Sequence, residues 1–183
     1  SYILGAWLGD GTQGRAAITK NPCKMIDAWI EYGKALCYGV SISKDKCPTW
    51  LLTNGIKGSG ANEIQNKLES IGVLKSRHIP SAYKYASMQD RLELLAGLID
   101  SDGHITHAGC DWISVSEQLA QDFAFICRSV GLACYLSQQK KGIKSTGFEG
   151  MYWRASVSGD LSIIPMRDKV CPKRQQKKRH LVH

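Results

Sequence analysis

Two short runs in this chain share one pattern, an apolar, helix-like stretch that ends in aspartate and glycine. The first run spans residues 3–11 and the second spans residues 95–103, so the aspartates Asp10 and Asp102 stand 92 positions apart. This separation is about half of the 183-residue chain. Self-similarity at a long fixed spacing indicates internal duplication. The chain is therefore predicted to consist of two related repeats.

Other features align when the sequence is shifted by the same 92 positions. Gly39 aligns with Gly131, and each glycine follows a segment with helical character, where glycine is a common stop signal. Arg77 aligns with Lys169, and both stand three positions before a proline. The basic residue therefore follows the motif aspartate by 67 positions in both halves. The spacing predicts that each repeat pairs one aspartate with one basic residue.

The length and composition are those of one compact unit. With 43% hydrophobic residues the chain can build a substantial core, and two halves of about ninety residues are expected to share it. We place the repeats at residues 1–86 and 87–172, followed by a basic tail at 173–183. The seven cysteines are scattered and form no C-x-x-C pair, which argues against a disulfide framework or a zinc site.

No apolar run is long enough to cross a membrane, and no signal peptide is visible. We therefore expect no membrane partner and an intracellular location, nuclear if the source is eukaryotic.

The net charge of +8 favours an acidic partner. The last eleven residues hold five of the positive charges, and other basic residues recur in or near segments with strand character. A sheet with lysine and arginine on one face is suited to following phosphates, whereas ordinary solvated lysines give a similar pattern residue by residue. The candidate DNA-binding residues are Arg15, Lys20, Lys44, Lys46, Lys140, Lys141, Lys144 and Arg154.

The local patterns predict an α+β fold. Ser87 and Asp90 form a capping box, so a helix should begin at about Met88 and run to about Asp100. Runs of β-prone residues predict three strands in each half. These strands are Ala16–Lys20, Val40–Lys44 and Thr49–Thr53, then Trp112–Ser116, Ala133–Gln139 and Tyr152–Ser158.

Small residues mark where the two motif helices can meet. Residues 4–6 and residues 96–97 each contain a glycine next to alanine, which allows another backbone to approach closely. If the two helices pack side by side, their matching C-terminal ends bring Asp10 and Asp102 together at one edge of the core.

These runs also carry a family resemblance. Residues 95–103, LAGLIDSDG, differ at one position from the LAGLIDADG sequence that names a family of homing endonucleases. Residues 3–11, ILGAWLGDG, resemble the divergent first motif of the intein-encoded members and of the related yeast mating-type-switching endonuclease. The resemblance implies a pseudo-twofold, duplicated αββαββα fold, with two central motif helices and a saddle of antiparallel strands seated on double-stranded DNA. It further implies a monomer that cuts both strands at a long asymmetric site.

The chemistry of phosphodiester hydrolysis fits the two aspartates. The reaction needs an activated water, neutralised phosphoryl oxygens and a stabilised leaving 3′ oxygen, which divalent metals held by carboxylates supply. Mg²⁺ prefers oxygen ligands, so we predict that Asp10 and Asp102 bind Mg²⁺, with Mn²⁺ able to substitute. From the resemblance, the carbonyl groups of Gly9 and Ser101 are lesser candidates.

The resemblance places Arg77 and Lys169 near the scissile phosphates as catalytic residues that stabilise charge or polarise water. Many intein enzymes have lysine at both positions. Because arginine does not readily lose a proton, Arg77 is predicted to stabilise charge only. Lys75 is the alternative if the local register differs.

Several other residues have ordinary structural interpretations. An Asp-Gly pair after a helix is commonly a stop and a turn. Asp100, whose place in the first repeat is taken by Leu8, is expected to serve the helix end. We expect His104 and His107 in exposed strand or loop positions, and Trp50 and Trp153 in the core.

The leading interpretation is an active, Mg²⁺-dependent double-strand DNA endonuclease. It is either the nuclease domain of an intein or a free-standing enzyme. The alternatives are a DNA- or RNA-binding descendant of the same fold, such as a maturase or a regulator, and an inactive relic of a mobile element.

Overall fold

The computed structural model describes residues 1–56, 58, 62–143 and 148–171. The helices are α1 (Tyr2–Asp10), α2 (Lys24–Ala35), α3 (Glu63–Ser70), α4 (Ser81–Lys84), α5 (Met88–Asp102) and α6 (Glu117–Ser129). The strands are β1 (Ala17–Thr19), β2 (Gly39–Ile42), β3 (Thr49–Thr53), β4 (His104–Ile105), β5 (Cys110–Ser114), β6 (Ala133–Ile143) and β7 (Phe148–Ser158), and a 3₁₀ turn covers Leu161–Ile163.

The strands form one antiparallel sheet in each half of the chain. The order is β1-β3-β2 in the first half and β4-β5-β7-β6 in the second. Among the described residues the first sheet has no strand equivalent to β4, since Gly11 forms only a single bridge with Ile18. At this hairpin the Thr12 N–H donates to the Ala17 carbonyl oxygen at 2.8 Å, and the Thr12 carbonyl oxygen accepts from the Arg15 N–H at 3.2 Å. The predicted duplicated α+β architecture is confirmed.

The motif helices α1 and α5 pack against each other at the centre of the molecule. A Cβ atom on Gly97 would lie 2.2 Å from the Tyr2 carbonyl oxygen, and one on Gly5 would lie 2.2 Å from the Leu94 carbonyl oxygen. The backbones therefore touch where these two glycines, 92 positions apart, face the opposite helix. The predicted close approach at the small residues is confirmed.

Both motif helices end at the motif aspartate and stop in the same way. The N–H groups of Gly11 and Gly103 donate to the carbonyl oxygens of Trp7 and Ile99, both at 2.8 Å. A Cβ atom on Gly11 would lie 2.2 Å from that acceptor oxygen, and one on Gly103 would lie 2.7 Å from it. Both glycines have an extended backbone with a negative φ, which any residue can adopt. Glycine is therefore required here by the close contact that a Cβ atom would make, and not by the backbone angle.

The predicted start of α5 is confirmed, because the Ser87 hydroxyl accepts from the Asp90 N–H at 3.1 Å. Its predicted end is wrong by two residues. The helix continues past Asp100 to Asp102 and stops at Gly103.

The core lies between the sheets and the helices, with Trp7, Trp29, Trp112 and Phe123 at most 1% exposed. Trp50 and Trp153 are half-buried and pack against it, while His104 and His107 are exposed. All seven cysteines are free thiols. In the described ranges, no helix has the length and apolar character needed to span a membrane.

Candidate active site

The two motif aspartates lie at the paired C-terminal ends of α1 and α5. The Asp10 carboxylate accepts from the Lys20 ammonium, with Oδ2 and Nζ 2.5 Å apart. The same ammonium donates to the Ser101 carbonyl oxygen at 2.9 Å. Asp102 Oδ2 lies 3.4 Å from the position that a Cβ atom on Gly9 would take. The carboxylates of Asp10 and Asp102 and the Ser101 carbonyl group therefore lie at one edge of the helix pair.

This edge favours a cation. Desolvation by the surrounding protein raises the pKa of Asp102, and the negative charge of Asp10 raises it further, while Lys20, Lys169 and Arg77 oppose the shift. Two carboxylates that disfavour each other's ionisation gain from a cation between them. A cavity of about 560 Å³ opens beside Asp102 and Arg77, which leaves room for a substrate group.

Arg77 caps the C-terminal end of α1. Its guanidinium donates to the carbonyl oxygens of Trp7 at 2.8 Å and Gly9 at 3.3 Å, and to those of Leu8 and Gly11. It also lies over the Trp7 ring, 4.9 Å from the centroid. Burial lowers the pKa of Arg77, which the two motif carboxylates oppose. The guanidinium thus binds the carbonyl groups of Leu8 and Gly9, which the helix end leaves without intrahelical donors, and adds a second hydrogen bond to the Trp7 carbonyl group.

Lys169 has the equivalent position on α5. Its ammonium donates to the carbonyl oxygens of Ile99 and Gly103, which align with Trp7 and Gly11 at the shift of 92 positions. Burial lowers the pKa of Lys169, and the nearby Lys20 ammonium lowers it further. The two basic residues, which follow the motif aspartates by 67 positions, therefore donate to equivalent carbonyl groups in the two repeats. The predicted catalytic roles of Arg77 and Lys169 stay predictions.

The alternative residue Lys75 lies outside this site. Its side chain is 84% exposed and is 3.7 Å from Glu69.

Asp100 was missed as a residue that positions the site. Its side chain is buried at 1% exposure, and its carboxylate accepts from the Tyr2 hydroxyl at 2.7 Å. It also accepts from the backbone N–H groups of Arg167, Asp168 and Lys169 at 2.7, 3.3 and 3.1 Å. The expectation that Asp100 serves the helix end is wrong, because α5 continues past it and its side chain holds the Lys169 segment instead. The lack of an acidic counterpart, with Leu8 in the first repeat, was the available signal.

The segments that carry the two basic residues also contact the opposite repeat. The Asp168 carboxylate accepts from the N–H groups of Lys24 and Met25, both at 2.8 Å, at the start of α2 in the first repeat. In the other direction, the Arg77 carbonyl oxygen accepts from the hydroxyl of Ser116, the N-cap residue of α6, at 2.9 Å. The segment that carries each basic residue is thus also bound by the other repeat.

Replacing Asp100 with asparagine should destabilise the protein by about 2–4 kcal/mol, because a buried amide cannot accept the four hydrogen bonds that the carboxylate accepts. Urea unfolding measures this loss. The matched substitution Asp45→Asn, in an exposed turn, should change stability by less than about 0.5 kcal/mol. Equal unfolding midpoints for Asp100→Asn and wild type would show that this contact network contributes no net stability.

The candidate DNA-binding residues have different surroundings. Arg15, Lys44 and Lys46 are exposed. Lys140 pairs with Glu149 and Arg154 pairs with Asp111, so both positive charges are partly neutralised. The backbone of Lys141 is in β6, and Lys144 and the basic tail lie outside the described residues. Lys20 lies between Asp10 and the Ser101 carbonyl group rather than on an open sheet face.

No group of three or more His, Cys, Asp and Glu side chains in the described ranges could hold a metal ion. A metal at the motif aspartates would therefore depend on two carboxylates completed by backbone carbonyl groups, water or substrate. Mg²⁺ commonly binds in this way, through one or two carboxylates with several retained waters.

Sequence comparison identifies relatives for most of the chain. Residues 89–178 match the family model described as a LAGLIDADG-like domain. Over 140 residues the chain is 35% identical to the replicative DNA helicase DnaB of Mycobacterium intracellulare. This alignment includes 76% of the chain but only 20% of the helicase, so the chain corresponds to about a fifth of that relative.

Structure comparison shows the fold. Variants of the homing endonuclease I-DmoI match with a TM-score of 0.57 at 13% identity, over 86% of each chain. I-DmoI in complex with DNA and calcium matches with a TM-score of 0.58 at 12% identity, over 86% of this chain and 81% of that one. The complex with DNA and manganese gives 0.54 at 14% identity, over 86% and 87%.

Proposed function

This chain is a double-motif LAGLIDADG protein with the homing-endonuclease fold, and we propose that it is a metal-dependent, site-specific DNA endonuclease. The observation that carries the proposal is the meeting of Asp10 and Asp102 at one end of the two packed motif helices. A carboxylate from each repeat suits a substrate with two scissile phosphates, one on each DNA strand.

The residues present fit a divalent metal. The Lys20 ammonium already joins Asp10 Oδ2 and the Ser101 carbonyl oxygen, so two of the predicted ligands point to one position that accepts a cation. Asp10, Asp102 and the Ser101 carbonyl group would hold Mg²⁺ or Mn²⁺, with the Gly9 carbonyl group as a further candidate. When bound, the ion supplies the charge neutralisation and water polarisation that phosphodiester hydrolysis needs.

The chain's own cations would act on the phosphates. Arg77 and Lys169 are fixed at the ends of α1 and α5 by carbonyl groups, so their charges need little reorganisation when negative charge develops on a phosphoryl group. Arg77 keeps its proton and therefore stabilises charge. Lys169, whose pKa is lowered by burial, is also suited to polarising a water molecule.

Double-stranded DNA is the partner that fits the charge and the pseudo-symmetry. The exposed cations Arg15, Lys44 and Lys46 border the first sheet, and Lys140 and Arg154 lie on the second. One chain brings both halves of the site together, so we propose a monomer. A function on genomic DNA places it inside the cell, in the nucleus if the source is eukaryotic.

The helicase relative supports an intein origin. A domain with a nuclease fold that matches only a fifth of a helicase is explained if it is inserted within that protein. The chain would then be the nuclease domain of an intein, and its natural target would be an uninterrupted helicase gene.

A plasmid library tests the proposed activity. Random inserts, and a plasmid with an uninterrupted replicative helicase gene, are incubated with the protein and Mg²⁺, and sequencing locates the ends. A small subset of plasmids should be linearised at one shared sequence, and chelation with EDTA should stop the cutting. Tight DNA binding without cutting at any site would instead favour a binding descendant such as a maturase or a regulator.

A further inference from the structure

Lys20 is the residue whose position departs most from its expected role. It follows β1, ten positions after Asp10, in a segment expected to contact DNA. Its ammonium instead lies 2.5 Å from Asp10 Oδ2 and 2.9 Å from the Ser101 carbonyl oxygen. Its side chain is 26% exposed and that of Asp10 is 19% exposed, so the pair is largely shielded from solvent. One ammonium thus connects the ends of the two motif helices.

The position of this ammonium is the one assigned above to the metal. An ammonium group and a divalent ion both bind hard oxygen atoms, and one point between two such atoms holds only one of them. The ion pair with Lys20 also neutralises the Asp10 carboxylate, so little negative charge is left there to attract a divalent ion.

The other charged side chains near the two motif aspartates also weaken metal binding. Three cations, Lys20, Arg77 and Lys169, surround the carboxylates of Asp10 and Asp102, so the negative charge of the two motif aspartates is already fully compensated. Like charges in a partly buried site repel with little screening. A divalent ion is therefore disfavoured while Lys20 stays in place.

The second repeat has no such lysine. β5 corresponds to β1 in the order of the sheets; its last two residues are Ile113 and Ser114, and Val115 and Ser116 follow it. Asp102 accordingly makes no ion pair within the described ranges, whereas Asp10 does. The difference between the two halves thus lies in the lysine that directly follows β1 in the first half.

We propose that Lys20 is an internal competitor of the divalent metal at Asp10 and weakens metal binding by the protein without DNA. The inference rests on the proposed function only for the presence of a metal site at Asp10 and Asp102. Lys20 has to leave Asp10 before an ion binds there, and the phosphates of DNA are the anions that the proposed function brings to the same edge.

Manganese titration of the full chain without DNA tests the proposal, with calorimetry or the EPR signal of free Mn²⁺ as the readout. Lys20→Met should bind Mn²⁺ about tenfold more tightly than wild type, in the range of ordinary coupling energies. Lys20→Arg keeps the competing charge and should stay close to wild type. The matched control Lys34→Met removes an exposed lysine of α2 and should also leave the affinity unchanged.

Two further variants test whether the gained Mn²⁺ affinity depends on Asp10 and control for a fold disturbed by methionine. Adding Asp10→Asn to Lys20→Met should remove the gained affinity, since the gain depends on that carboxylate. Lys20→Gln should reproduce the effect of Lys20→Met if methionine disturbs the fold. The proposal is overturned if neither Lys20 variant binds Mn²⁺ more tightly than Lys34→Met, or if no variant binds Mn²⁺ at all. Because no DNA is present, the result does not depend on whether the wild type cuts plasmids.

Discussion

Asp10→Asn and Asp102→Asn should each lower double-strand cleavage by at least about 100-fold while DNA binding stays close to wild type. Asparagine keeps the shape of aspartate and removes the charge that the proposed metal needs. The two carboxylates belong to different repeats but lie at one edge of the helix pair, so loss of either should impair the site. Cleavage would depend on these two carboxylates, whereas DNA binding would depend on many basic residues over both sheets. Loss of one carboxylate should therefore leave DNA binding close to wild type.

The measurement compares the rate of linearisation of a plasmid cut by the wild type with binding of the same sequence in a gel-shift assay. Asp27→Asn, an exposed aspartate of α2 that lies outside the site, is the matched control and should cut at the wild-type rate. A variant at Asp10 or Asp102 that cuts both strands as fast as the control would remove that carboxylate from the mechanism. Nicking of one strand only would show that the two repeats act on separate phosphates.

Gly97→Ala should cost about 3–5 kcal/mol of stability, because the new methyl group meets backbone atoms that have no other place to go. The Cβ atom would lie 2.2 Å from the Tyr2 carbonyl oxygen and 2.6 Å from the Ala6 nitrogen. Relief requires α1 and α5 to separate, which also moves the ends that carry Asp10 and Asp102. The variant should therefore lose cleavage even under conditions where it stays folded.

Denaturant unfolding followed by circular dichroism measures this cost. Gly39→Ala, on β2, is the matched control, since its Cβ atom would meet only the Thr53 carbonyl oxygen at an ordinary 3.6 Å. It should change stability by less than about 1 kcal/mol. If Gly97→Ala unfolds at the same denaturant concentration as Gly39→Ala, the contact between the motif helices is looser than the structure has it.

Local sequence patterns predict those structural features whose hydrogen bonds join residues close together in the chain, such as the start of a helix. Ser87 caps α5 through a hydrogen bond across three positions, so its pattern is visible in a short window. The same patterns predict the end of this helix at about Asp100 rather than Asp102, because an aspartate inside a helix and an aspartate at its end look alike in the sequence. The distinction depends on the Tyr2 hydroxyl and on the N–H groups of residues 167–169, which lie far away in the chain.

Lys20 shows a similar limit at the candidate site. The sequence placed it among the basic residues of a strand face, and nothing in its neighbours indicates which way the side chain points. Its acceptor at Ser101 is 81 positions away, and the contact exists only because α1 and α5 end side by side.

The sequence by itself determined the duplication, the two motif aspartates, the glycines at the helix crossing and the basic residue that each repeat adds after 67 positions. These features can be identified in the sequence because each occurs twice, at a constant shift of 92 positions, so that one copy confirms the assignment of the other. Only the tertiary structure decided that Arg77 and Lys169 cap the motif helices, that Asp100 holds the Lys169 segment and that Lys20 lies on Asp10. The physical reason is that these side chains bind partners brought close by packing, and the direction of a long polar side chain is set by those partners and not by the residues next to it.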